Sequence, residues 1–359
     1  MDSILGPLLP LFDREQAAGR SMALGVLVQT VGSTYRKPGA MLLIAEGGEY
    51  AGLISGGCLE GDLAERARTV ITTGRASLVT YDLRNSDDLV WGLGLGCEGA
   101  MHILLLRVGP QEQWQPLAHL AAALAAHRPT AVGVVTESRE EALPVGALIL
   151  PPAPEGSQTS NRCQTLDGSR AALEAAARAD SVGWLEGPGR RWKLLLLPLA
   201  LPPRLLLLGA GPDALPVVEF GARLHWRVTV VDHRPAYAVP SHFPGAERVL
   251  LARPDEIAQA VELGRFDAAV VMSHHLPSDL EYLRALGGSP VAYVGLLGPH
   301  ARREKLLSEL GSESQRLRPR LHAPVGLNLG GRTPEGIALA IVAEIHAFMH
   351  GMQLTRSGP

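Results

Sequence analysis

From Arg204 onward, short unbroken apolar runs alternate with amphipathic stretches. The runs are "RLLLLG", "RVTVVD", "RVLLA", "DAAVVMS" and "VAYVGLLG", and between them lie "DALPVVEFGARL", "PDEIAQAVEL", "PSDLEYLRAL" and "ARREKLLSEL". Apolar runs without alternation predict strands buried on both faces, hence a parallel sheet. Strand–helix repetition at this spacing predicts a doubly wound α/β domain. The first half is less regular. "SMALGVLVQTVGS", "AMLLIAEGG" and "EYAGLIS" read as strands joined by glycine turns, followed by a helix after Cys58 and strands at "ASLVTYDL" and "GAMHILLLRV". A helix near "WQPLAHLAAALAAH" and a strand "TAVGVVT" come next. The fold expected is α/β: a Rossmann-like parallel sheet over 201–359, preceded by a mixed α+β domain over 1–200, with the break near Pro198 to Pro203.

Composition narrows the function more than the fold. The 359 residues suffice for two cores. A formal net charge of -3 gives no footprint for nucleic acid or an anionic membrane surface. The most apolar run, "KLLLLPLALPPRLLLLGAG", is broken by prolines and Arg204, so it reads as two buried strands and a linker, not a membrane span. Three cysteines make no disulfide framework and suggest a reducing compartment, the cytoplasm. "MDSILGPLLPLF" has an early acid and no basic region, unlike a signal peptide. By base rate a homodimer is expected.

The sharpest structural signal is "LLLLGAGPDALPVVEFGARLHWRVTVVDHRP". A strand ends at Gly209-Ala210-Gly211 and a helix follows. Gly209 permits a tight turn, Gly211 lets backbone amides approach a phosphate, and Ala214 allows close helix–strand packing. Asp232 stands about 20 residues on, where an acid meets a ribose hydroxyl. His274, after the strand "VVMS", and Gly295 and Gly298, before a basic helix carrying Arg302, Arg303 and Lys305, fall where such sheets bind ligands. His274 suits an acid/base or hydrogen-bonding role, and a helix cap fits equally well. "GLNLGGRTPEGIALAIVAEI" runs into Thr333 as N-cap and Pro334 as first helical residue.

Cys58 follows Ser55-Gly56-Gly57 at what reads as the first turn of a helix, where unpaired amides favour a thiolate. Glu60 and Asp62 read as helix-start acids that offset part of that effect. Cys97 is also embedded in glycines, in "WGLGLGCEGAMHILLL". Two such thiols suit a site, and a buried small hydrophobe is the equal alternative. Upstream, "VQTVGSTYRKPGAMLLI" offers Thr30, Gly32, Ser33, Arg36 and Lys37, groups able to hold an oxyanion or simply to make a turn. Cys163 lies in a Pro/Ser/Gly-rich stretch and reads as an exposed thiol without function.

"TVGSTYRKPGAMLL", "GLISGGCLEGDLAERA", "WGLGLGCEGAMHILL", the Gly209 block, "VVMSHH", "YVGLLGPHARREKLL" and "APVGLNLGGRTPEGIALAIVAEI", in this order, resemble the XdhC/CoxI family, the xanthine dehydrogenase accessory proteins. The resemblance implies a maturation factor that binds the molybdenum cofactor (molybdopterin). It also implies protection of the cofactor during sulfuration and its insertion into an apo-molybdenum hydroxylase, with a cysteine desulfurase as sulfur donor. Cys58 and Cys97 match the family's glycine-flanked cysteines, with Cys58 the implied metal ligand, since thiolates suit soft centres. Ser33, Arg36, Gly56, Gly57, Gly209, Ala210, Gly211, Asp232, His274, Gly295 and Gly298 are the implied cofactor-binding positions. Two alternatives stand beside it. The Gly209 loop with Asp232 also suits an NAD(P)-dependent oxidoreductase using His274, and Cys58 also suits a thiol hydrolase.

Overall fold

A computed structural model describes residues 5–82, 99–151 and 168–352. The chain divides into two units, Met1–Leu201 and Pro202–Pro359.

The first unit contains, in chain order, α1 (Leu9–Ala17), β1 (Met22–Gly32), β2 (Met41–Ala45), β3 (Tyr50–Gly52), α2 (Glu60–Thr73), β4 (Ser77–Asp82) and β5 (Gly99–Val108). It continues with α3 (Leu117–Ala125), β6 (Ala131–Ser138), β7 (Leu148–Ile149), α4 (Ser169–Ala179), β8 (Gly183–Glu186) and β9 (Trp192–Pro198). The strands form two sheets, β3-β2-β1-β5-β4 and β7-β6-β9-β8, in which neighbours run antiparallel. Strand alternation explains the layering. Ala23, Leu27, Leu42, Ile103 and Leu105 point to one face and pack on Leu59, Leu63, Ala67 and Val70. Met22, Leu24, Val26 and Leu104 point to the other and pack on Val132, Val134, Leu195 and Leu197 of the second sheet. That sheet's far face, with Val135, Leu194 and Leu196, packs on Leu173 and Ala176 of α4. The layers are therefore helix, sheet, sheet, helix.

The expected strand "EYAGLIS" ends early, at Gly52. There φ is +93°, and a Cβ would lie 2.5 Å from the Met41 carbonyl oxygen, so the chain turns out of the ladder and 53–59 become a loop. Helix α2 then runs to Gly74, whose left-handed φ of 71° closes it, with the Gly74 amide donating a hydrogen bond to the Val70 carbonyl.

The second unit contains β10 (Arg204–Leu208), α5 (Ala214–Arg223), β11 (Arg227–Asp232), β12 (Arg248–Leu251), α6 (Ile257–Ala260), β13 (Ala268–Val271) and α7 (Leu276–Gly287). After these come β14 (Tyr293–Leu296), α8 (His300–Leu310), α9 (Ser314–Leu317), β15 (Leu321–His322) and α10 (Pro334–Met349). All six strands are parallel, in the order β12-β11-β10-β13-β14-β15. This is the doubly wound Rossmann order, with its switch point between β10 and β13. Leu205, Leu207, Val228 and Val270 pack under Val217 of α5 and Ile341 and Ile345 of α10. Leu206, Leu208, Val271 and Val294 pack under Tyr282 and Leu286 of α7 and Leu307 of α8. The expected helix "PDEIAQAVEL" shrinks to a 3-10 turn and the single turn of α6, because Val261 is extended and, with Leu263, is drawn into this core.

Candidate functional site

The loop from Leu53 to Leu59 is organised by one buried carboxylate. Glu60, the first residue of α2, is fully buried and turns back under the loop. Its Oε1 accepts from the amides of Ile54 (3.1 Å) and Ser55 (2.9 Å). Its Oε2 accepts from the Ser55 hydroxyl and from the amides of Gly57 (3.0 Å) and Leu59 (3.2 Å). The Leu59 amide also donates to Ser55 Oγ at 2.9 Å. Burial alone would raise the Glu60 pKa, but these donors outweigh it and hold the carboxyl below its ordinary value. Gly56 and Gly57 have φ of +81° and +106°, which only glycine adopts without strain, and this lets successive amides converge on one acceptor.

One expectation needs correction here. Cys58 is not in the first turn of the helix; it is an exposed free thiol in the loop, two residues ahead of Glu60. Glu60 is the helix-start acid expected, and it is buried, with the Gly57 amide committed to it instead of being held out to an anion. The signal for Glu60 was present in the sequence. It lies in phase with Leu63, Ala67, Val70 and Ile71, the apolar stripe of α2, so its side chain had to point inward.

A second loop meets the first. Residues 33–38 leave the end of β1, and the Tyr35 ring passes 3.9 Å from where a Cβ on Gly56 would sit. Ser33, Arg36 and Lys37 are exposed there, and the Arg36 guanidinium lies 5.9 Å from the Tyr35 ring centroid. The Thr34 hydroxyl donates to the Arg36 carbonyl at 2.8 Å and shapes the turn. The chain re-enters the sheet at Gly99, paired with Gly32, where a Cβ would fall 2.4 Å from the Ser33 carbonyl oxygen. The two loops therefore adjoin through Tyr35 and Gly56, with Ser33 and Arg36 on one and Gly56, Gly57 and Cys58 on the other. Cys97, two residues before Gly99 in sequence, lies outside the described residues. Among the described residues no group of three or more His, Cys, Asp or Glu side chains has a metal-binding arrangement.

In the second unit the expected ligand positions gather toward the carboxyl end of the sheet, and each of the four glycines among them has an internal steric reason. Gly209 has φ of +126°, and a Cβ there would lie 2.5 Å from the Met272 carbonyl oxygen. Gly211 leaves room for Asp213, whose Oδ1 would be 2.6 Å from a Cβ. Gly298, with φ of +133°, makes way for the Arg302 side chain. Gly295 is buried within β14, part of the apolar run read as a strand, and Val325 takes the space of its missing side chain.

Asp232 is fully buried and already partnered. Its Oδ2 accepts from the Ala210 amide at 2.8 Å, and both oxygens accept from the Arg234 guanidinium, at 2.9 and 2.7 Å. Burial would raise its pKa, but the bonds from Arg234 and the Ala210 amide hold it below the ordinary value. Arg234 in turn stacks on Tyr237, 3.8 Å from the ring centroid. His274 sits at φ +60°, and its Nε2 is 2.7 Å from Asp213 Oδ2. Below it, Ser273 donates to Asp279, and Arg302 binds the other oxygen of Asp279 at 2.6 Å. Neither the Asp213–His274 pair nor the Arg302–Asp279 pair was visible in the sequence, because 61 and 23 residues separate the partners.

Residues 205–345 match the XdhC Rossmann domain, and residues 15–82 match the XdhC and CoxI family. A probable xanthine dehydrogenase subunit of Bacillus subtilis is 33% identical over 335 residues, 93% of this chain and 94% of that one. The chain belongs to the XdhC and CoxI family. The molybdenum cofactor insertion chaperone PaoD of Escherichia coli is 23% identical over 334 residues, 91% of this chain and 83% of that one. A crystal structure described as a xanthine dehydrogenase from Bacillus halodurans superposes with a TM-score of 0.73 at 27% identity, covering 100% of this chain and 98% of that one. Cys58, Ser33 and Arg36 fall inside the XdhC and CoxI match, and Gly209 to Gly298 inside the XdhC Rossmann match. No helix among the described residues is long and apolar enough to cross a membrane.

Proposed function

We propose that this chain is a maturation factor for a molybdenum hydroxylase of the xanthine dehydrogenase type. It binds the molybdenum cofactor, supports its sulfuration and inserts it into the apo-hydroxylase. The observation that carries this reading is the exposed Cys58 thiol on a loop fixed from beneath by Glu60, with Arg36 and Lys37 exposed on the adjoining loop. A thiolate is a ligand for a soft metal centre, and the two cations complement a phosphate. These groups fit a cofactor that is carried as cargo: one sulfur grips the metal end without enclosing it, so the cofactor can leave.

In this role the chain orients the cofactor and holds its anionic end while a cysteine desulfurase delivers sulfur, and it then docks on the client. The reading places the protein in the cytoplasm as a homodimer. The names of the relatives in Bacillus subtilis and Escherichia coli support a molybdoenzyme client. The test is Cys58→Ser, and separately Arg36→Ala with Lys37→Ala, assayed for cofactor binding and for activation of purified apo-hydroxylase. Cys58→Ser is expected to abolish activation, and the double substitution to weaken binding about tenfold. Full activation by Cys58→Ser would end the reading.

A further inference from the structure

Helix α10 differs from the other long helices of its unit. The outer faces of α5, α7 and α8 carry charged residues, among them Glu219 and Arg223, Glu281 and Arg284, and Glu304 and Lys305. Along its 16 residues α10 has no Lys or Arg and two acids. One is Glu335 at its start. The other, Glu344, is 4% exposed and accepts from the Tyr293 hydroxyl and the Gly326 amide. Ala338, Ile341, Val342 and Ile345 pack into the core beneath the helix. The opposite side is the row Glu335, Leu339, Ala343 and Ala347, spaced four residues apart and so aligned on one face. Leu339 is 49% exposed, and Ala343 and Ala347 are half-buried. The loop before the helix widens this surface. The Leu327 amide donates to the Ala340 carbonyl at 3.2 Å, Gly331 packs on Gly336, and Leu329 of the same loop is 53% exposed.

A helix apolar on every side is ordinarily covered. Shape and charge decide by what. One half of the row is raised, at Leu339, and the other is flat, at Ala343 and Ala347. A twofold axis through Ala343 exchanges the halves. Leu339 then lies over Ala347 of the partner subunit, and Ala343 faces its own copy, where short side chains let the two helices approach closely. The antiparallel arrangement also sets the amino end of each helix, with Glu335, beside the carboxyl end of the other, with His346 and His350. Acid meets imidazole, and the two helix dipoles oppose. The face therefore holds its own complement in bulk and in charge, as an isologous contact requires.

We propose that α10 is the dimerisation helix of this chain and packs antiparallel on α10 of a second copy, about a twofold axis at Ala343. The proposal rests on the homodimer of the maturation reading, names its interface, and uses no residue of the Cys58 loop.

The test is sedimentation equilibrium of the full chain over a concentration series. The parent chain is expected to dimerise, and Leu339→Glu, which puts an acid into the seam twice, to weaken the dimer about 100-fold or more. Leu339 is exposed in the single chain, so circular dichroism is expected to show the fold of Leu339→Glu unchanged. Ala343→Cys is a small change on the axis. Under a mild thiol oxidant it is expected to give a disulfide-linked dimer beyond any formed by the parent chain, and Glu281→Cys on α7 is not. If Leu339→Glu fails to fold, Ala343→Cys decides. A parent chain that is monomeric throughout the series overturns the inference. So does a dimer that a folded Leu339→Glu leaves intact, or Ala343→Cys crosslinking no more than the parent chain. A dimer that survives Leu339→Glu has its interface elsewhere, and the homodimer reading stands without this seam. Activation of the hydroxylase by Cys58→Ser decides the maturation reading independently of either result.

Discussion

Replacing Glu60 with Gln removes one charge and one acceptor from the centre of the thiol loop. In the better of its two orientations, the amide keeps its oxygen on the Ser55 hydroxyl and the Gly57 and Leu59 amides, and turns its NH2 toward the amides of Ile54 and Ser55. Two bonds to a charged acceptor are lost, each worth about 1.5–3 kcal/mol, and two buried donors then face a third. Part of this is recovered as the exposed glycines relax, which leaves a cost of about 3–5 kcal/mol. For a unit of this size that is a fall of roughly 6–20 °C in melting temperature. The assay is thermal unfolding followed by circular dichroism, at several pH values. The Glu60 pKa is depressed in the fold, so its contribution is fully present above the ordinary value of 4.5 and is lost as pH falls through the folded value. The gap between the parent chain and Glu60→Gln is therefore expected to be constant near neutrality and to shrink below about pH 4.5. A fall of less than about 2 °C at pH 7, or a gap that widens in acid, would refute the account of the loop.

Further outcomes follow from the second unit. Gly209→Ala forces a side chain to φ +126° and against the Met272 carbonyl, and is expected to cost about 2–3 kcal/mol or more in chemical denaturation. Arg302→Ala strands the Asp279 carboxylate, 1% exposed, without its cation; the expected loss is about 3–5 kcal/mol, read from the same denaturation midpoints, with Arg302→Lys recovering part of it.

The parallel half was legible because its strands are buried on both faces and appear as unbroken apolar runs. Its loops were legible in place but not in chemistry. The pattern Gly209-Ala210-Gly211 marks a tight strand–helix turn, and what fills that turn is decided by Asp213 and His274, which meet only after folding. The antiparallel half was harder, since β3 stops at a glycine within an apolar stretch and α4 was not among the predicted elements. A missed signal recurs in three helices. Glu60, Asp279 and Glu344 each lie in register with the apolar stripe of their helix, and each is buried with polar partners from a neighbouring loop or strand. An acid in hydrophobic phase is expensive to bury alone, so its position predicts a network even when the partners cannot be named.

Strand β1 is buried over its first seven residues, and its last four are partly or fully exposed. Its length, about 36 Å at the usual rise, carries the chain from the middle of a four-layer stack to its rim. The inner part sets the fold and tolerates little change; the overhang delivers the Ser33–Lys37 turn to solvent. A substitution in that overhang therefore acts on where the turn is held and not on the core, so it can alter the site while leaving the stability of the scaffold unchanged.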